Sequence, residues 1–128
     1  MLPTLSLEER FAQVCNCISP ETFAHHMNTS IHSTIVVDCR QDYEFVGGHI
    51  KGAINIDNQA EIKRFFLGDI LKLRQLMGSR TIIVFHCEFS QRRGPALWRA
   101  LRDMDRKINA ANYPKVFFPE MYVLEKGY

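Results

Sequence analysis

Two short runs rich in β-branched residues stand out from an otherwise mixed chain, Thr34 to Cys39 (TIVVDC) and Thr81 to Phe85 (TIIVF). Neither alternates apolar with polar positions, as a strand with one wet face does, so both are predicted to be strands covered on both sides. Between them lie Gly47 and Gly48, a short predicted strand around Ala53–Ile56, and a helical pattern of Ile62, Phe65, Phe66, Ile70, Leu73 and Leu76. Strand, helix, strand in this order implies a parallel sheet covered by helices. After the second run, Leu97, Ala100, Leu101, Met104 and Ile108 recur at helical spacing, with Pro95 suited to the first turn of that helix. A last strand is predicted near Lys115–Phe118, before the closing PEMYVLEKGY. Near the front, Ser19-Pro20-Glu21 reads as a helix start, since Ser caps open amides and Pro is tolerated in a first turn; the helix is expected to run to about Met27. The fold class expected is α/β, a three-layer domain with a central, mostly parallel sheet flanked by helices.

Composition narrows the function more than the fold. A chain of 128 residues that is 46% hydrophobic suits one core. No repeat or linker divides it, so an arm over residues 1–18 and a single domain over 19–128 are expected. A net charge of +2 gives no general case for nucleic acid or an anionic membrane, so any attraction for anions has to be local. The opening lacks the continuous apolar core of a signal peptide, and no run approaches the roughly 18 apolar residues of a membrane span. A soluble, intracellular monomer is the expectation. The four cysteines, Cys15, Cys17, Cys39 and Cys87, are then expected as thiols. Cys15 and Cys17 form a lone C-x-C pair with no second half, and are expected to be ordinary partly buried cysteines; no metal and no cofactor is anticipated.

The chemistry is concentrated in HCEFSQRRGP, between the second strong strand and the helix after it. Cys87 follows a buried strand, and Arg93 comes six positions later at the mouth of a helix. Backbone amides of a tight loop and the positive end of a helix form an anion cradle, and an arginine fork adds two parallel charge-assisted bonds to phosphate oxygens. The same field favours the thiolate of Cys87, a competent nucleophile. The residues Glu88, Phe89, Ser90, Gln91, Arg92 and Arg93 then form a phosphate-binding loop behind Cys87. In-line attack on a phosphate ester would give a phosphocysteine, which water hydrolyses, with no metal required. Ser90 is a minor candidate donor to the thiolate or the phosphate. His86 is expected to be structural.

These residues, together with PEMYVLEKGY and VDCRQDYEFVGGHIKGAINI upstream, resemble the catalytic domain of the M-phase inducer phosphatases, the cell-division-cycle twenty-five type of dual-specificity phosphatase. The resemblance runs from about Ser19 to Tyr128, with the three motifs in the family's order. It implies a rhodanese-like fold, hydrolysis of phosphotyrosine and phosphothreonine on a cyclin-dependent kinase, and the nucleophile and clamp roles for Cys87 and Arg93. It also implies a nuclear or cytoplasmic setting, and a redox role for Cys39, whose family counterpart forms a disulfide with the catalytic sulfur and shelters it from over-oxidation. Asp38, Arg40 and Glu44 match the general rhodanese pattern and are expected to tie the strand to the following turn. Gly47 and Gly48 are expected to hold backbone angles that larger residues resist.

Two departures from the family pattern matter. Where the family has an acidic residue just before the loop arginine, this sequence has Arg92, which leaves Glu88 as the loop's carboxylate and candidate proton donor, unless the substrate supplies the proton. Family members also continue beyond the position of Tyr128 into a segment that helps dock protein substrates. Three alternatives stand beside the phosphatase: a sulfurtransferase of the same fold, whose loop is typically one residue shorter; an arsenate reductase, which shares the Cys to Arg spacing; and a non-catalytic module that docks phosphoproteins.

Overall fold

The computed structural model describes residues 17–30, 34–68, 82–86, 93–112, 116–118 and 120–124. In chain order these form β1 (Cys17–Ile18), α1 (Pro20–Ser30), β2 (Thr34–Asp38), α2 (Asp42–Val46), β3 (Ile54–Asn55), α3 (Gln59–Leu67), β4 (Ile82–His86), α4 (Arg93–Ile108), a 3-10 turn (Ala110–Asn112) and β5 (Glu120–Leu124). The strands make one sheet in the order β1-β5-β4-β2-β3, and every pairing is parallel. Cys17 and Ile18, at the end of the expected arm, pair with Val123 and Leu124 at the sheet edge.

The unbroken apolar runs are explained by what covers the sheet. On one face Ile35, Val37, Ile83, Phe85, Met121 and Val123 pack with Ile62 and Phe66 of α3 and Leu97, Trp98 and Leu101 of α4. On the other, Val36, Ile82, Val84, Tyr122 and Leu124 pack with Phe23 and Met27 of α1 and Phe45 of α2. Alternate residues of each strand thus feed two different cores, and neither face is wet. This is the three-layer α/β architecture expected from the sequence.

Local signals hold in most places. The Ser19 Oγ accepts the Thr22 N–H at 3.1 Å, and the helix it caps extends to Ser30, three residues beyond the expected end. The Asn58 side chain caps α3 by accepting the Glu61 N–H at 2.9 Å. In α3, Ile62 and Phe66 are buried but Phe65 is 41% exposed, off the core-facing stripe; Ile70, Leu73 and Leu76 lie outside the described residues. In α4, Leu97, Ala100 and Leu101 are buried, whereas Ile108, at the helix end, is 55% exposed.

Two expectations require correction. Among the described residues the last strand is Glu120–Leu124, not residues 116–118 of the expected stretch, whose Lys115 lies outside the described residues; it sits inside the sheet between β1 and β4. The competing force is the buried Asp105 of α4, whose carboxylate accepts the N–H groups of Phe117 and Phe118, each at 2.8 Å. Arg102 donates to the Phe118 carbonyl at 2.7 Å. Helix side chains therefore hold the backbone groups that a strand would need for its ladder. The second correction concerns Gly47, which sits in ordinary helical geometry at the end of α2 (φ −69°). Of the two, Gly48 adopts a positive φ, 145°, where a Cβ is strained.

Candidate active site

The carboxyl ends of β2 and β4 and the amino end of α4 meet at one edge of the sheet, the edge where open parallel sheets bind ligands. Asp38 and His86 are partners in the β2–β4 register, and the next residue, Cys39, donates its N–H to the His86 carbonyl at 2.7 Å. Cys39 is thereby held directly beside the residue that precedes Cys87. It is buried, with its Sγ 3.8 Å from the Val37 carbonyl oxygen. Cys87, Glu88, Phe89, Ser90, Gln91 and Arg92 lie outside the described residues; Arg93 is the first residue of α4.

Beneath this edge lies a buried ionic pair. The Arg40 side chain donates to Asp38 from Nε (3.0 Å to Oδ1) and from Nη2 (2.8 Å to Oδ2), and the Arg40 N–H donates to Oδ1 at 3.0 Å. Burial alone would raise the Asp38 carboxyl. The hydrogen bonds from the Arg40 side chain and backbone, aided by the charges of His86 and Arg40, outweigh it and hold the group below its ordinary value. Arg40 also donates to the Gly48 carbonyl at 2.6 Å, closing the turn that carries α2. The expectation that Asp38 and Arg40 tie strand to turn is met in these contacts, and Gly48 supplies both the bend and the acceptor.

His86 is wholly buried in β4, with Nε2 3.7 Å from Asp38 Oδ2. Burial lowers its pKa to about 4, against the opposing pull of Asp38, so its ring is neutral at physiological pH.

Glu44 has a second partner that sequence alone did not suggest. Its Oε1 accepts from Arg93 Nη1 at 2.8 Å, across 49 residues of chain. The arginine side chain remains 41% exposed while that of Glu44 is 18% exposed, so the carboxylate is the more buried partner of the pair. The bond from Arg93, and then that from the Gln41 N–H, hold the Glu44 carboxyl below its usual range. Arg93 is thus present where the sequence places it, at the mouth of a helix, with its side chain reaching solvent at the sheet edge. Among the described residues no group of three or more His, Cys, Asp or Glu side chains is arranged to hold a metal ion.

A five-stranded parallel sheet layered by helices, with this edge built on strand-end Asp38 and Arg40, defines the class: residues 19–128 match the rhodanese-like domain, and the chain belongs to that family. Among curated proteins it is 42% identical over 131 residues to human M-phase inducer phosphatase 3, covering 99% of this chain and 26% of that protein. It is 44% identical over 115 residues to mouse M-phase inducer phosphatase 1, covering 87% of this chain and 22% of that protein. The chain therefore spans about a quarter of the length of the relatives it matches. Among solved structures, the As-Sb reductase from Leishmania major superposes with a TM-score of 0.67 at 22% identity, covering 88% of this chain and 72% of that one, a likeness of fold.

Proposed function

We propose that this domain is a cysteine-dependent protein phosphatase that hydrolyses phosphotyrosine and phosphothreonine, with a cyclin-dependent kinase as its substrate. The observation that carries the proposal is Arg93: an arginine with a 41% exposed side chain on the first residue of α4, at the carboxyl edge of a parallel sheet, six positions after Cys87. The likeness to two M-phase inducer phosphatases over most of the chain supports the same chemistry.

In the proposed reaction the Cys87 thiolate attacks phosphorus in line, a P–S bond forms, and the P–O bond to the substrate breaks with its electron pair left on oxygen. That oxygen takes a proton, from Glu88 or from the substrate itself. Water then attacks the phosphocysteine and the P–S bond breaks, giving phosphate and the regenerated thiolate. Arg93 and the positive end of the α4 dipole balance charge on the equatorial oxygens in both steps. Cys39 is the proposed redox partner of Cys87: a peroxide would oxidise the two thiols to a disulfide and be reduced to water. The bond from the Cys39 N–H to the His86 carbonyl supports this by fixing Cys39 next to the start of the loop. Peptide mapping after mild peroxide should recover a Cys39–Cys87 bridge, and its absence would remove the redox role. The phosphatase itself is tested by phosphate release from an aryl phosphate and then from a phosphorylated kinase, with Cys87→Ser as the control. Cys87-dependent release from both substrates is expected, and release from the aryl ester alone would remove the kinase from the proposal.

A further inference from the structure

An arginine clamp works only if its long side chain is held in the geometry the phosphoryl group needs, and a misplacement of about 1 Å can cost about 10²-fold in rate. In this molecule the holding group comes from the neighbouring strand's turn. Arg40, fixed on Asp38, binds the Gly48 carbonyl and so pins both ends of the turn that contains α2. Within it, the Phe45 N–H donates to the Gln41 carbonyl at 3.1 Å, and the Gln41 N–H donates to Glu44 Oε1 at 3.1 Å. The Glu44 carboxylate is therefore fixed by the Gln41 backbone of the same turn before it meets Arg93 Nη1 at 2.8 Å, a normal length for a charge-assisted bond.

We infer that Glu44 is the positioning residue for the Arg93 clamp: its carboxylate holds the guanidinium at the sheet edge in the orientation in which it receives a tetrahedral oxyanion. The inference rests on one part of the proposed function, the role of Arg93 as an oxyanion clamp. Glu44 acts through Arg93 and does not touch the reacting atoms. Its ordering effect opposes its own electrostatics, since a carboxylate beside an anion site also repels the anion. The inference states that orientation outweighs repulsion.

Glu44→Gln separates the two roles of this residue. A glutamine at the third helical position still accepts the Gln41 N–H and so keeps the cap, while Arg93 loses its charged partner. The experiment measures kcat and KM for an aryl phosphate, tungstate affinity by calorimetry, and melting temperature, on the wild type and Glu44→Gln. Expected are a fall in kcat/KM of about 10²-fold, tungstate binding weakened by at least about tenfold, and a melting temperature within about 3 °C of the wild type. A purely structural residue would lower the melting temperature together with activity, and that outcome overturns the inference. So does tungstate binding that is equal or tighter in the variant, which would make Glu44 a competitor for the clamp. If the wild type turns over but Glu44→Gln matches it, positioning fails and the phosphatase stands. If the wild type shows no turnover, the phosphatase fails, and tungstate still decides: weaker binding by the variant upholds positioning, while equal binding, or none by either protein, rejects it.

Discussion

The buried His86 makes the stability of this domain depend on pH. Its pKa falls from the ordinary 6.5 to about 4, first because burial penalises the imidazolium, with Arg40 and His49 adding to the effect and Asp38 opposing it. Between these two values the unfolded chain binds a proton at this position and the folded chain does not, so stability rises with pH through the window and is lost as pH falls. Worked from that shift, the loss is about 2 kcal/mol between pH 7 and pH 5, and about 3 kcal/mol by pH 4. The assay is urea unfolding at pH 7 and pH 5, followed by the fluorescence of Trp98, the single tryptophan, which is buried in the core formed with α3 and α4. His86→Gln supplies the comparison: whatever its absolute stability, its loss between the two pH values should be smaller than that of the wild type by about 2 kcal/mol. Equal losses in the two proteins would refute the reasoning and mean that His86 accepts its proton in the folded state.

Three further outcomes follow from single contacts. Asp105→Asn places a donor against the N–H groups of Phe117 and Phe118, and should cost about 2–4 kcal/mol in denaturant unfolding, since buried bonds to a charged acceptor are each worth about 1.5–3 kcal/mol. A cost below 1 kcal/mol would mean that the 116–118 segment is held by other contacts. Phe66→Ala should cost about 3–5 kcal/mol, because Phe66 is fully buried between the rings of Phe85 and Phe118. Arg93→Lys should lower kcat/KM for an aryl phosphate by roughly 10²-fold while the fold survives, because an ammonium keeps the charge but loses the planar fork; near-normal turnover would show that charge alone suffices.

How much was legible depends on whether a residue's role is set by its neighbours in sequence or by distant ones. β2 and β4 announced themselves because strands covered on both faces need no polar alternation, and Ser19 announced α1 through a cap that acts within three residues. β5 was misplaced because Lys115–Phe118 carries the stronger β-forming composition, while Asp105, a buried helix residue, holds the backbone of Phe117 and Phe118 from outside. At the candidate site, residue types and spacing suggest the loop chemistry proposed for Cys87 and Arg93, and they place Arg93 at the start of α4, where it is found. The carboxylate on Arg93 was not legible. Glu44 was assigned to the turn it caps, and nothing in the local pattern points to a partner 49 residues away. The one available signal was an acidic residue in the first helix after a strand that pairs directly with β4, a placement that becomes meaningful only once the parallel register is known.

The central claim is that Cys87 is a nucleophile toward phosphate esters, with Arg93 as its clamp. The most direct measurement is release of phosphate from a small fluorogenic aryl phosphate, under reducing conditions, by the wild type and by Cys87→Ser. The account predicts turnover that vanishes in the variant and is blocked by vanadate. Equal phosphate release from the two proteins, or none from either, would contradict it.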